Sequence, residues 1–393
     1  MKRIAIFCDG TWNRSDAPHQ TNVVRLSPAV THTARDGVTQ QLVYMPGVGA
    51  GRGSNAFAQA SDKVLGGALG WGMTQNIEEA YRHLAFSYEP GDDVFIFGFS
   101  RGAFTARSLA GLIRSCGIPS RENVRRIPEA IARYRDRSPW THPNHERSYR
   151  WRADFSPHRA TSPEEVEWRK KEGVGASELL EIAYLGVWDT VGALGIPGHF
   201  PGAALLNRGH RFHDADLSRM VKAARHGVAI DERRRSFPPT LWQNLDILND
   251  ANTDLPYRQE WFPGDHGSVG GGGDVVGLSN LALLWVAEGA MATGLWLAPV
   301  ALATFEKDGD PAAPLHNRTV QAGLLTRLMQ WNATDRDGPH DMTDVSAPAR
   351  ARWHLAHLPR PWRPGACRPG WMGRHRINAL YTFAYTPFSC RRC

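Results

Sequence analysis

Hydrophobic and polar positions follow two periods along the first two-thirds of the chain. Residues 2–8 form a short apolar run that stops at Asp9-Gly10-Thr11, and residues 41–45 form another, closed by the glycine-rich stretch 46–51. Ile77, Ala80, Tyr81, Leu84 and Tyr88 then recur at helical spacing, which predicts an amphipathic helix over about residues 74–88. Gly91 and Asp92 punctuate, residues 94–98 are continuously apolar, and residues 103–113 read as a helix. Residues 181–188 give a second buried strand, and Leu217, Met220, Val221, Ala224 and Val228 predict a further helix. Apolar runs with no polar alternation, interleaved with helices, fit strands covered on both faces. The predicted class is α/β, with a mostly parallel central sheet and helices on both faces.

Two later regions break this pattern. Residues 119–176 are rich in arginine, with Trp140, Tyr149 and Trp151 among them, and read as a helical insertion within a domain covering residues 1–300. Two readings stand for it: a solvated helical excursion over the sheet's edge, or a lid whose Arg125, Arg126 and Arg133 meet a phosphate-bearing substrate. Residues 301–393 form a C-terminal extension, and from about residue 347 the periodicity is poor, which predicts a loosely docked or partly irregular segment. Cys390 and Cys393 at its end supply two ligands where a structural zinc site needs four.

Composition narrows the class. With 393 residues, 42% hydrophobic and 22% charged, the chain has enough apolar surface to fold around a core, which excludes a disordered chain. A formal charge of +7 is modest for this length; it suits an anionic membrane surface and does not by itself indicate a nucleic-acid partner. Five cysteines at irregular spacing exclude a disulfide framework and point to synthesis in a reducing compartment, the cytoplasm. Only residues 4–7 are apolar before Asp9, shorter than the ~7–15 residues of a secretory signal. Glu288 and Pro299 interrupt the apolar stretch 278–305, so it reads as a buried helix followed by an apolar turn and not as a membrane span.

The strongest chemical signal is Gly98-Phe99-Ser100-Arg101-Gly102, a G-x-S-x-G sequence between an apolar strand and a helix. A serine on that turn has strained backbone angles, and the glycines on either side let the helix start against the sheet. Its hydroxyl then projects above the sheet, with the Arg101 amide placed to face a developing oxyanion. A base and an orienting carboxylate must follow in the order Ser, Asp, His. Asp189 ends the buried run 182–188, where open α/β sheets gather functional groups. His266 lies in the glycine-rich loop 261–272, a more permissive backbone than surrounds His199, His210, His213 or His226. Gly10 or Thr11, after the first strand, is the candidate second oxyanion donor.

Two other motifs carry less. Residues 8–11 look like the loop of aspartyl-phosphate phosphatases, but the nucleophilic aspartate's position holds Phe7. Residues 47–54 lack the lysine of a phosphate-binding loop and read as a turn beside the active site.

Several longer stretches occur in a recognisable order: residues 7–13 (FCDGTWN), 21–26 (TNVVRL), 98–107 (GFSRGAFTAR), 186–192 (GVWDTVG), 231–242 (DERRRSFPPTLW) and 261–272 (WFPGDHGSVGGG). On these the chain resembles the α/β-hydrolase domain family that contains type VI secretion phospholipase effectors of the first Tle class. The resemblance spans about residues 3–295. It implies an α/β-hydrolase-like fold and a Ser-Asp-His hydrolase, carried over onto Ser100, Asp189 and His266. It also implies phospholipid acyl esters as substrate, delivery without a signal peptide, and a secretion-apparatus or immunity partner. The chain departs from the family at Ser268, where an aspartate is usual.

The resulting expectation is a serine esterase of the phospholipase or lipase kind that needs no metal or cofactor. Two alternatives stay open: a small-molecule esterase or thioesterase, and a catalytically degenerate hydrolase fold that serves as a binding module.

Overall fold

A computed structural model describes residues 1–49, 66–176, 178–192, 216–235, 237–250, 252, 254–319 and 334–357. Its centre is a sheet of six parallel strands: β1 (Arg3–Cys8), β2 (Gln40–Met45), β3 (Asp93–Phe99), β4 (Tyr184–Trp188), β5 (Ala224–Ala229) and β6 (Tyr257–Phe262). The spatial order is β2-β1-β3-β4-β5-β6. The chain therefore starts inside the sheet, adds one strand on one side, and then walks outwards on the other.

Alternation within the strands explains the layers. Ile4, Ile6, Cys8, Val94 and Ile96 face one side and pack on α2 (Gly66–Ser87), α3 (Arg101–Cys116) and α4 (Ile127–Arg135). Ala5, Phe7, Phe95, Phe97 and Phe99 face the other and pack on α1 (Asn22–Leu26) and α9 (Gly277–Ala292). Two shorter helices, α7 (Leu245–Asn249) and α10 (Pro299–Lys307), follow β5 and α9 in the chain. Phe7 and Phe97 stack across adjacent strands, with ring centroids 4.7 Å apart. Full burial of such rings contributes on the order of 1.5–3 kcal/mol each, so the second layer is a strong clamp on β1 and β3.

One expectation changes. Ala224 and Val228 lie in strand β5 and not in a helix; β5 takes its conformation from pairing with β4 and β6 on both sides. Short apolar runs suit either period, and the tertiary pairing decides. The stretch after residue 347 begins as a helix, α11 (Ala347–His357), whose first turn is held by Ser346 Oγ accepting the Ala349 amide at 3.3 Å. The segment before it is joined to the sheet, since Val345 pairs with Trp261 and the Ser346 amide donates to Trp261 O at 3.1 Å. Cys390, Cys393, His199, His210 and His213 lie outside the described residues.

The insertion is partly buried. It contains α4, α5 (Glu146–Phe155) and α6 (Pro163–Glu172), and two of its arginines, Arg152 and Arg169, are buried. Glu165 joins them: its Oε2 accepts from Arg152 Nε at 2.9 Å and its Oε1 from Arg169 Nη2 at 2.8 Å. Arg152 Nη1 continues to Ser115 O at 2.8 Å and so ties the insertion to the end of α3. Burial raises the Glu165 carboxyl and the two guanidinium groups outweigh it, for a net shift below the ordinary glutamate value. Removing that carboxylate leaves two buried cations. Glu165→Gln is therefore expected to destabilise the domain by about 3–5 kcal/mol, read as a lower urea midpoint. An unchanged midpoint would show that these charges are solvated.

Candidate active site

The sheet directs four loops to one edge, the carboxyl ends of its strands, where open α/β sheets place ligands. Ser100 follows β3 directly and opens α3 with φ 60° and ψ −124°. Only close backbone approach permits this turn. A Cβ on Gly98 would lie 2.4 Å from Gly102 O, and one on Gly102 would lie 2.2 Å from Cys8 O. The two glycines therefore let α3 start against β1 and β3 and aim Ser100 away from the sheet.

Asp189 follows β4, the neighbour of β3, with φ 38°. His266 follows β6, the third strand along from β3, roughly 14 Å away at ordinary strand spacing. The turn at residues 263–265 brings it back. His266 is the first residue of the short helix α8 (His266–Gly270) and not part of an open glycine loop. Asp265 caps this helix, accepting the Ser268 amide at 2.9 Å.

The three side chains meet. His266 Nε2 lies 2.8 Å from Ser100 Oγ, and His266 Nδ1 lies 2.5 Å from Asp189 Oδ2. An ionised carboxylate only accepts, so Nδ1 carries the proton and Nε2 is left to accept from the serine hydroxyl. Phe99 and Phe237 flank the imidazole, at 4.6 and 4.8 Å between ring centroids. Burial pushes the Asp189 carboxyl up; Arg336 and the His266 hydrogen bond outweigh it and hold it well below the usual range. These neighbours thus favour the ionised form of Asp189.

Gly10 lies beside the serine: a Cβ added to it would be 3.2 Å from Ser100 Cβ. Its own amide donates to Asp9 Oδ1 at 2.7 Å, so of the two expected donors Gly10 is engaged and Thr11 is left. The Thr11 and Arg101 amides have no acceptor among the described residues, and the buried Thr11 Oγ1 has no partner there either. Asp9 also accepts from Thr21 Oγ1 at 2.9 Å and Tyr44 Oη at 2.8 Å. Burial raises its carboxyl to about 6, against the pull of these donors. The turn after β2 docks on this loop, with the Trp12 amide donating to Val48 O at 3.1 Å; the rest of the glycine-rich stretch, from residue 50, lies outside the described residues.

Sequence reasoning leaves several supporting residues without a role. Glu232 Oε2 accepts the His266 amide at 3.2 Å, and Asp231 Oδ2 accepts the Gly264 amide at 2.7 Å. With Phe237 they give the stretch 231–242 its purpose: it holds the histidine turn. Asn22 Nδ2 donates to Val269 O and Ser279 O, tying that turn to α1 and α9. Ser268, where the family usually has aspartate, donates to Asp265 Oδ1 at 3.0 Å and Leu315 O at 2.7 Å. Here the carboxylate of the loop stands before the histidine and not two residues after it. His226 is a structural group: burial lowers it to about 3, and its Nε2 accepts the Thr190 amide at 3.1 Å.

The arginines of the insertion lie elsewhere. The insertion is bound at the Ser115–Cys116 end of α3, a helix of 16 residues and so about 24 Å long, with Ser100 at the other end. Arg126 pairs with Glu129 and Asp154, Arg133 donates to Ser148 Oγ at 2.8 Å, and Arg125 is exposed. None of the three is brought to Ser100. Among the described residues no helix is long and apolar enough to cross a membrane, and no group of three or more His, Cys, Asp or Glu side chains could hold a metal ion.

Residues 2–289 match the family described as the type VI secretion system phospholipase effector Tle1-like catalytic domain. The chain belongs to this Tle1-like family. A Saccharomyces cerevisiae protein, "Uncharacterized protein YEL023C", is 27% identical over 244 residues, which cover 60% of this chain and 32% of that protein. Two solved structures are similar in part. An uncharacterised protein from Pseudomonas aeruginosa has 20% identity and a TM-score of 0.43 over 86% of this chain and 51% of that one. The Tle1 effector bound to the VgrG spike has 19% identity and a TM-score of 0.38 over 70% of this chain and 52% of that one. The Tle1-like chain thus spans about a third of the yeast protein's length and about half of each solved chain.

Proposed function

We propose that this domain hydrolyses the carboxylic esters of phospholipids through Ser100, His266 and Asp189. The 2.8 Å contact between His266 Nε2 and Ser100 Oγ, with Asp189 behind the ring, is the observation that carries this reading. His266 takes the Ser100 proton as the oxygen attacks the ester carbonyl. Asp189 keeps the imidazole in the tautomer that can accept and stabilises the imidazolium that forms. The Arg101 and Thr11 amides face the oxyanion; losing one such donor typically costs about 10²–10³-fold in turnover. The tetrahedral species then collapses, His266 returns the proton to the leaving alcohol, and an acyl-serine remains. Water, activated by the same histidine, releases the fatty acid and restores Ser100.

Membership of a phospholipase effector family supports the lipid substrate and delivery by a type VI apparatus. The formal charge of +7 favours approach to an anionic bilayer. Product analysis on a panel of defined phospholipid vesicles tests the reading. Free fatty acid and lysophospholipid are the expected products. Turnover of soluble p-nitrophenyl esters without any release from vesicles would instead assign a small-molecule esterase. No hydrolysis of either, with no labelling of Ser100 by a fluorophosphonate, would assign a binding module.

A further inference from the structure

Arg336 lies beyond the matched residues 2–289, yet its guanidinium sits on Asp189. Nη1 donates to Asp189 Oδ1 at 2.6 Å and Nη2 to Oδ2 at 3.0 Å. The same two nitrogens donate to Ala229 O at 2.8 Å and Phe237 O at 2.7 Å. Asp189 Oδ1 also accepts the Ala229 amide at 2.9 Å. Both side chains are buried, at 5% and 0% exposure. The segment carrying Arg336 is anchored on either side. The Thr334 amide donates to Arg233 O at 3.0 Å, and Val345 pairs with Trp261 of β6.

A bidentate guanidinium does two things to a carboxylate. It fixes the plane of the two oxygens, because both parallel hydrogen bonds must be met at once. It also places a positive charge beside whatever else the carboxylate serves, which disfavours a second cation there. Here that second cation is the imidazolium of His266. Among the described residues near the ring, Glu232 is paired with Arg234 and Asp265 with His316 Nδ1, while Asp231, which accepts the Gly264 amide, is pushed up by burial. His226, on β5, is neutral through burial.

Resting on the hydrolase reading above, we propose that Arg336 is a positioning residue of the active site. Delivered by the C-terminal segment, it locks the Asp189 carboxylate for His266 and sets the pH at which the imidazole becomes free to act as a base. Through Phe237 O it also holds the aromatic ring that covers the imidazole. The hydrolytic site is then complete only with this segment in place.

The test uses the full chain with Arg336→Gln and Arg336→Lys, assayed for kcat and KM on a soluble p-nitrophenyl ester from acid to alkaline pH. Fluorophosphonate labelling of Ser100 runs in parallel. With the guanidinium gone, the carboxylate serves the imidazolium alone. The acid limb of kcat/KM is expected to move up by about half a pH unit or more in Arg336→Gln. Loss of the locked carboxylate is expected to lower kcat about tenfold or more, with KM within about twofold of wild type. Arg336→Lys keeps the charge without the fork, so the limb stays and kcat falls by an intermediate factor. If Arg336→Gln does not fold, the lysine variant decides, and wild-type kcat in it overturns the proposal. An unmoved limb in a folded Arg336→Gln, or a change confined to KM, also overturns it. These results concern Arg336 alone when Ser100 is labelled in the wild type; absence of that labelling would instead remove the hydrolase reading itself.

Discussion

Replacing Ser100 by alanine is expected to leave the fold intact and to lower ester turnover by about 10³-fold or more. Among the described residues Oγ bonds only His266, while the backbone amide and carbonyl of residue 100 bond to Trp188 O and the Phe104 amide. Alanine carries the same Cβ into the same turn, although the φ of 60° remains costly for either residue. Thermal unfolding close to that of the wild type, together with turnover reduced to the level of the binding and oxyanion groups alone, is the expected pair of results. Wild-type hydrolysis by the alanine variant would show that a different nucleophile does the work.

The second large effect is expected at Asp189, and it has two parts. An asparagine at this position can present an amide NH₂ to His266 Nδ1, which favours the tautomer with its proton on Nε2. That proton then points at Ser100, and the imidazole cannot serve as base. A loss of about 10⁴-fold in kcat follows, as when the aspartate of a serine protease triad is replaced in this way. The other part is stability. Asp189→Asn leaves the Arg336 guanidinium buried without its carboxylate, a loss of about 3–5 kcal/mol by comparison with other broken buried pairs. The variant is therefore expected to be inactive and to melt below Ser100→Ala. Equal stability of the two variants would mean that Arg336 has found solvent or another acceptor.

The parts of the site that can be read from sequence are those whose constraints are local. Gly98, Ser100 and Gly102 are legible because a strand, a sharp turn and a helix must follow one another within a few residues, and the clashes that exclude a side chain arise between near neighbours and β1. Asp189 is legible as the end of a buried run. His266 stands out through the glycines around it, but they conceal the helix: Asp265 is a capping residue, and its carboxylate turns the loop into α8. Strand β5 reads as a helix because its apolar spacing suits one, while its conformation comes from two partner strands distant in sequence.

What sequence does not show is pairing over distance. Nothing in a run of arginines separates the exposed Arg125 from the buried Arg152, whose partner Glu165 belongs to another helix. Arg336 stands in a polar stretch, between Asp335 and Asp337, where no local pattern singles it out. Its contact with Asp189 is fixed by how the C-terminal segment crosses the ends of β5 and β6. The stretch 231–242 shows the intermediate case. It is visible as a motif, but its role emerges only where Glu232 and Phe237 meet the histidine.

The central claim is that Ser100 is an activated nucleophile, and peptide mass spectrometry after treatment with a fluorophosphonate tests it most directly. A single covalent adduct is expected on the peptide containing Ser100 in the wild-type protein, with labelling much slower when His266 is replaced by glutamine. An unlabelled Ser100 in folded protein, or labelling at the same rate without the histidine, would contradict it.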